Sequence, residues 1–156
     1  MMATSGFGRL EVTVIQARNL RDVELIGKND PYVSLTLGTV KAKSSIIRNS
    51  GDKATWNETF TLDIKEQLTH LAIKVRDHKP IKLMANLIGE TRVLVEDVAK
   101  VGTIQQWFKL EAGSEKAGEI EVRITYIPDA TRKMTLNQFP TGFASFTAAP
   151  AAYPTQ

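Results

Sequence analysis

The side chains that could do chemistry in this chain are acids beside strands and lysines on strands, rather than catalytic nucleophiles. The segment GKNDPYVSL, residues 27–35, places Asp30 directly before a proline, where an alternating strand pattern resumes. A carboxylate in this position either shapes a turn at the start of a strand or serves as one ligand of a metal site. The local residues leave both interpretations open.

The chain carries none of the usual signs of an enzyme or of a nucleic-acid-binding protein. It has no cysteine and no GxSxG segment, and its two histidines, His70 and His78, show no visible pairing of a catalytic base with an orienting group. Aromatic residues make up only 7% of the chain, and those on strands alternate inward rather than forming a stacking surface. We therefore predict a protein that is not an enzyme and has no nucleic-acid partner.

Basic residues two positions apart form a second candidate site. Lys41 and Lys43 belong to VKAKSSII, and Lys74 and Arg76 belong to LAIKVRD. Because side chains two apart on a strand project from the same face, each pair predicts a small cationic patch. The net charge of +3 favours an anionic partner surface without specifying it. The alternative is a solvated edge strand that its lysines protect from edge-to-edge pairing.

Two loops combine apolar tips with neighbouring lysines. Leu25 and Ile26 lie in the first of these loops. The other loop contains Lys79, Ile81, Lys82, Leu83 and Met84. Apolar side chains ringed by lysines suit insertion into an anionic membrane surface. The alternative is that these apolar residues pack on one another as a small local core.

These residues must be positioned by a fold rich in strands. Period-2 alternation with β-branched residues recurs along the chain, and Gly, Asn, Asp and Pro separate the runs. The predicted strands span residues 9–17, 31–37, 40–47, 57–64, 71–77, 87–95, 105–110 and 118–127. One helical turn is predicted within residues 95–102, ending at Gly102. The pattern predicts an all-β protein, an eight-stranded antiparallel β-sandwich.

The strand pattern defines one domain, residues 9–127, with a different kind of segment on each side. Residues 1–8 are predicted to be a flexible N-terminus. Residues 128–156, rich in Ala, Thr and Pro with scattered aromatics, are predicted to be a disordered tail or a short docking motif for a protein partner. No run approaches the ~18 apolar residues of a membrane span, and the first residues lack an apolar signal core, so we expect a cytoplasmic protein.

Several segments together resemble the C2 domain, the calcium- and phospholipid-binding β-sandwich of conventional protein kinase C and synaptotagmin. They are LEVTVIQARNL, NDPYVSL, TWNETFTL, LAIKVRD and LIGETRVLV. The resemblance covers about residues 9–127, and the chain also resembles the small plant and protist proteins made of one C2 domain and a Pro-rich tail. Because the chain starts at LEVTVIQA and ends with an extra strand, GEIEVRITYI, it looks like the circularly permuted, type II topology.

The resemblance implies a candidate calcium site in the first loop, residues 18–30, and the third loop, residues 77–87. In calcium-binding members of the family, five acids from these loops hold the ions. The matching positions here are occupied by Glu24, Asp30, Asp77, Lys79 and Asn86. A calcium ion takes about 6 to 8 oxygen ligands, and here a lysine and an asparagine stand where two carboxylates are usual. We therefore expect calcium to bind weakly or not at all.

The resemblance also implies a lipid-binding face. In the family, lysines of the strand that matches Lys41 and Lys43 line a concave surface for phosphoinositide headgroups. We predict a non-catalytic, monomeric membrane-docking module that binds anionic phospholipids or phosphoinositides, is peripherally associated with membranes, and depends weakly or not at all on calcium. One alternative is a protein-interaction adaptor that uses the C2 fold and the aromatic tail. Another is calcium-dependent phospholipid binding through Glu24, Asp30 and Asp77.

Overall fold

The computed structural model describes residues 7–24, 26–66, 69–78 and 86–129. Some of the predicted features lie outside these residues. They are the loop residues Leu25, Lys79, Ile81, Lys82, Leu83 and Met84, the start of the N-terminus, and the tail from residue 130 onward. Their predicted roles remain predictions.

Eight strands and one short helix follow one another along the described chain. They are β1 (Arg9–Arg18), β2 (Pro31–Leu37), β3 (Val40–Lys43), β4 (Ala54–Asp63), β5 (His70–Asp77), β6 (Asn86–Leu94), α1 (Val95–Val101), β7 (Thr103–Ala112) and β8 (Glu115–Ile127). Helix α1 ends as predicted at Gly102, whose N–H donates to the carbonyl of Val98 at 2.7 Å. Within the described ranges, no helix is long and apolar enough to span a membrane.

Antiparallel pairing joins the strands in the order β3-β2-β5-β6-β7-β8-β1-β4. The two halves of this order, β3-β2-β5-β6 and β7-β8-β1-β4, meet at one register pair, Glu90 opposite Glu111. The last strand lies between β7 and β1, so the extra strand that the sequence predicts completes the second half. Buried residues from both halves form one core. The predicted eight-stranded antiparallel β-sandwich is confirmed.

Alternation along the strands places the core. Nine aliphatic side chains on β1, β5 and β8 are at most 1% exposed: Leu10, Val12, Val14, Leu71, Ile73, Val75, Ile120, Val122 and Ile124. Each fully buried side chain of this kind contributes about 1.5–3 kcal/mol to folding. The same alternation sends Lys74 and Arg76 to the outer face of β5. The pattern that builds the core therefore also builds the cationic surface described below.

Several strand boundaries differ from the prediction, and local contacts explain the differences at β3 and β4. β3 ends at Lys43 instead of continuing to Ile47, because the side chain of Ser44 takes the place of a backbone acceptor. Its Oγ accepts the N–H of Val33 at 2.8 Å. β4 begins at Ala54 rather than at residue 57. A bulge in the β1–β4 pairing, with Asn57 at a φ of 51°, lets the strand run through that position.

Hydrogen bonds connect β4 to the residues just after β3, so the two outermost strands of the sheet order lie close together at this point. The N–H of Ser45 donates to Glu58 Oε1 on β4 at 3.1 Å, and the Trp56 indole Nε1 donates to the carbonyl of Ser45 at 3.0 Å. Trp56 is itself buried in the core. These bonds hold the loop between β3 and β4 against the sandwich.

Candidate functional site

The first loop, between β1 and β2, is organised around the buried side chain of Asn29. Its Nδ2 donates to the carbonyls of Arg21 at 3.0 Å and Gly51 at 3.3 Å, and its Oδ1 accepts the N–H of Val23 at 3.2 Å. The carbonyl of Asn29 also accepts the N–H groups of Ser50 and Gly51. Asn29 therefore fixes the first loop to the loop between β3 and β4. No sequence pattern identifies this residue, because its role depends on partners that are distant in the chain.

A second anchor of the first loop is Arg21. Its guanidinium donates to the carbonyl of Leu87 at 2.8 Å and to that of Ile88 at 3.1 Å, and it forms an ion pair with Glu115 at 3.3 Å. The first two bonds tie the loop to β6, where the third loop ends. The planar donor fork of arginine can serve several acceptors at once, which suits this bridging position.

Replacing Asn29 with alanine should destabilise the protein by about 2–4 kcal/mol, because three side-chain bonds disappear and buried backbone groups lose their partners. Urea unfolding of the wild type and the variant measures this loss. Asn86→Ala makes the same chemical change at an exposed site and should cost no more than about 0.5 kcal/mol. Equal losses in the two variants would show that Asn29 does not organise the loops.

Three of the four predicted metal ligands come together at one end of β2, β5 and β6. Asp77 is fully buried, and its Oδ1 accepts the backbone N–H of Asp30 at 2.6 Å. Asp77 lies opposite Pro31 on β2 and opposite Asn86 on β6. Asp30 belongs to the first loop, whereas Asp77 and Asn86 stand at the two ends of the third, and the antiparallel register makes them neighbours.

The observed contacts of Asp30 are those of a residue that fixes the start of a strand. Its Oδ1 accepts the N–H of Asn49 at 2.5 Å, and its Oδ2 lies 3.9 Å from Arg48 Nη1. Its carbonyl accepts the N–H of His78 at 3.0 Å. The Asp30 carboxylate therefore holds the loop after β3, while its backbone holds the beginning of the third loop.

The described carboxylates at this end of the sandwich bond to protein groups. Glu24 is half-buried and its N–H donates to Asp22 Oδ1 at 2.9 Å, but no three His, Asp or Glu side chains of the described ranges form a metal-binding group. Calcium takes about 6 to 8 oxygen ligands, and the carboxylates of Asp30 and Asp77 already accept hydrogen bonds from the protein. A cation would have to displace Arg48 from Asp30 before it could bind there.

The four strand cations predicted from the sequence share one outer face, that of β3-β2-β5-β6. Cross-strand partners lie on the same face of a sheet. One row of partners runs Lys43, Ser34, Lys74 and Glu90. The next rows on either side are Lys41, Thr36, Ala72 and Arg92, and Tyr32, Arg76 and Leu87. We call Lys41, Lys43, Lys74, Arg76 and Arg92 the basic face.

The basic face has a strong excess of positive charge. Its rows contain five cationic side chains and one carboxylate, that of Glu90, which lies 3.9 Å from Lys74 Nζ. Lys43 Nζ lies 5.8 Å from the ring centroid of Tyr32. Arg92 is an addition to the predicted set. The alternation in LIGETRVLV shows that it shares a face with Glu90, but only the pairing of β5 with β6 shows that this is the face of Lys74.

The outer face of the other half, β7-β8-β1-β4, carries both signs of charge. Arg18 pairs with Glu119 at 2.7 Å and stacks 3.8 Å from the ring centroid of Trp107. Glu121 adds a carboxylate to the same face, and hydrogen bonds from Gln16 and Gln105 lower its pKa. Between the two outer faces of the described strands, the strong cationic excess therefore lies on one.

The first loop also presents one exposed apolar side chain. Ile26 is 89% exposed, the largest value among the exposed large hydrophobic residues. If Ile26 packed in a local core with the other apolar loop residues, its side chain would be much less exposed. Leu25, Ile81, Leu83 and Met84 lie outside the described residues, as do Lys79 and Lys82.

Comparisons with known proteins find one family. The family model described as C2 domain matches residues 8–110. The 16 kDa phloem protein 2 of Arabidopsis thaliana is 31% identical over 84% of this chain and 89% of its own length. Elicitor-responsive protein 3 of Oryza sativa is 29% identical over 84% of this chain and 91% of its own.

Solved structures show the same fold. A C2 domain-containing protein superposes with a TM-score of 0.69 at 31% identity, covering 81% of this chain and 93% of that one. A C2 domain of plant Extended Synaptotagmin 1 superposes with a TM-score of 0.70 at 22% identity, covering 79% and 96% of the two chains. At 22% identity the second likeness concerns the fold alone.

Proposed function

The chain belongs to the C2 domain family, and we propose that it is a non-catalytic membrane-docking module whose basic face binds anionic phospholipids or phosphoinositides. The observation that carries this proposal is the placement of five cations and one carboxylate on a single outer face. Lipid phosphates accept charge-assisted hydrogen bonds from lysine and arginine. The protein then associates with membranes peripherally, as a monomer.

The charges of the basic face are large enough to matter for membrane affinity. Each basic residue close to an anionic membrane contributes ~1 kcal/mol, so five of them against one carboxylate give a net gain of several kcal/mol. This attraction falls off within about a Debye length, roughly 8 Å at physiological salt. Binding through this face is therefore expected to weaken steeply as salt is added.

Ile26 supplies a second, apolar contribution. Its side chain is already in solvent at the tip of the first loop, so moving it into the membrane interface needs no rearrangement of the core. Full burial of such a side chain contributes about 1.5–3 kcal/mol, independently of salt. We propose that the basic face sets the preference for anionic lipid. Ile26 then inserts into the membrane interface together with residues of the third loop, namely the lysines Lys79 and Lys82 and the apolar residues Leu83 and Met84.

We propose that lipid binding depends weakly or not at all on calcium. The carboxylates of Asp30 and Asp77 are engaged by protein groups, and the basic face does not use them. Electrostatic docking by lysine and arginine needs no bridging cation. Binding should therefore persist when calcium is removed.

Vesicle sedimentation tests the function directly. The protein should sediment with vesicles of phosphatidylcholine mixed with phosphatidylserine or a phosphoinositide, and stay in the supernatant with phosphatidylcholine alone. The result should be the same with calcium and with chelator, and high salt should reduce it. A protein that stays in the supernatant with every lipid would support the adaptor alternative. Sedimentation that requires calcium would support a lipid site at Glu24, Asp30 and Asp77.

A further inference from the structure

Ser45 lies at the edge of the basic face. Burial continues to alternate past the end of β3, since Lys43 is exposed, Ser44 is buried and Ser45 is exposed. The N–H of Ser44 donates to the carbonyl of Val33 at 2.9 Å, so the β2–β3 register is kept for one more residue. Ser45 is therefore an exposed residue two positions after Lys43, at the end of the β3 side of the basic face.

The hydroxyl of Ser45 is bonded to an acid of another strand. Its Oγ donates to Glu58 Oε2, and its N–H donates to Glu58 Oε1 at 3.1 Å. Glu58 belongs to β4, which is at the opposite end of the sheet order from β3. Ser45 thus lies between the basic face and the carboxylate of Glu58 on β4.

We propose that Ser45 is a phosphorylation site whose modification weakens lipid binding by the basic face, an inference that rests on the proposed function. Lys41 and Lys43 precede Ser45 and Arg48 follows it, a sequence that suits a serine/threonine kinase with an acidic substrate groove. The neighbouring hydroxyl, that of Ser44, is buried and accepts the N–H of Val33. Ser45 is the exposed acceptor of the pair.

The modification is an ordinary phosphoryl transfer from ATP. Ser45 Oγ forms a bond to the γ-phosphorus while the bond from that phosphorus to the β–γ bridging oxygen breaks, and ADP leaves. The hydroxyl proton passes to the catalytic carboxylate of the kinase. The stretch from residue 44 to residue 53 contains no strand or helix, and a kinase must release Ser45 from its bonds to Glu58 and Trp56 before it can modify Oγ.

Phosphate at Ser45 would change two interactions. It adds a charge of about −1.5 to −2 two residues from Lys43, and so lowers the attraction of the basic face for anionic lipid. It also replaces the bond from Ser45 Oγ to Glu58 with repulsion between two anions. The first change should weaken membrane binding, and the second should lower thermal stability.

The lipid effect is tested with protein that carries phosphoserine at position 45, incorporated during translation. Its affinity for phosphatidylserine vesicles should be at least about tenfold lower than that of unmodified protein. The matched control carries phosphoserine at position 61, an exposed site beside Glu11 on the opposite outer face. An equal loss at both positions, or no loss at position 45, would overturn the proposal.

Two further measurements separate this inference from the lipid function itself. Incubation of the wild type with a basophilic serine/threonine kinase and Mg-ATP should place phosphate on Ser45, as mapped by tandem mass spectrometry, and S45A should lose that signal. Absence of phosphate at Ser45 would overturn the site. Phosphoserine at 45 should also lower the melting temperature by about 3–6 °C, with E58Q restoring part of it. If unmodified protein fails to sediment while both of these effects appear, the proposed lipid function is wrong and the modification site stands.

Discussion

Replacing Lys41 and Lys43 together with glutamate is expected to lower the affinity for phosphoinositide vesicles at least about 100-fold. Both side chains lie on the exposed outer face of β3, level with Thr36 and Ser34 of β2. The double substitution changes the charge near the membrane by four units, each worth ~1 kcal/mol before salt screening. Quantitative sedimentation over a range of lipid concentrations measures the effect. The folded core should be unaffected, because neither side chain is buried.

The control for this variant reverses two cations on the opposite outer face. Arg9→Glu with Arg123→Glu makes the same change in net charge on β1 and β8. If the basic face determines binding, this control should keep most of the wild-type affinity for phosphoinositide vesicles. Equal losses in both variants would mean that net charge alone attracts the protein. Full affinity in the Lys41 and Lys43 variant would show that β3 is a solvated edge strand, the alternative that the sequence left open.

Alternation along single strands explains why much of the fold and the basic face could be predicted. Lys41 and Lys43, or Lys74 and Arg76, must share a face whatever the strands pair with, because side chains alternate every residue. Which strands are neighbours is a different question, and it decides that both pairs lie on one surface. Arg92 is assigned to this surface only by the pairing of β6 with β5. Single-strand patterns contain no information about that register.

The hydrogen bonds that hold the loops could not be predicted from the sequence. Asn29 and Arg21 act through bonds to carbonyls of distant loops and strands, and these partners are backbone groups that have no sequence signature. Ser44 ended β3 early for the same reason, since its hydroxyl replaced a backbone acceptor. The resemblance to C2 domains placed Asp30 and Asp77 in one region. It did not reveal that Asp77 accepts the N–H of Asp30, which depends on how the strand ends meet.

A variant with Lys79→Asp and Asn86→Asp is expected to bind calcium about 100-fold or more tightly than the wild type. The wild type should bind no better than ~10⁻⁴ to 10⁻³ M, the range of poorly charged sites. Asn86 lies opposite Asp77 on the neighbouring strand, so a carboxylate at that position would face the buried acid. Lys79 lies outside the described residues, and its place in the site follows from the resemblance to the family. Titration calorimetry with calcium measures both proteins.

Adding Asp30→Asn to this variant provides the control for the geometry. The Asp30 carboxylate is the one held by Arg48 and Asn49 at the start of β2, and a calcium ion would have to replace those contacts. The gain in affinity should therefore disappear when Asp30 is neutral. A gain that survives would place the ion elsewhere. Absence of any gain in the double variant would show that the third loop is aligned wrongly, and micromolar binding by the wild type would make Glu24, Asp30 and Asp77 a working calcium site.

The same double variant should be less stable than the wild type when calcium is chelated. Two more carboxylates would join Glu24, Asp30 and Asp77 at one end of the sandwich, and like charges without an ion between them oppose folding. Saturating calcium should reverse this loss, because a ligand that binds only the folded state stabilises it. Melting temperatures of both proteins, each with calcium and with chelator, test this coupling. The wild-type melting temperature should hardly change between the two conditions, because its carboxylates are held by the backbone N–H groups of Asn49 and Asp30 rather than by a metal.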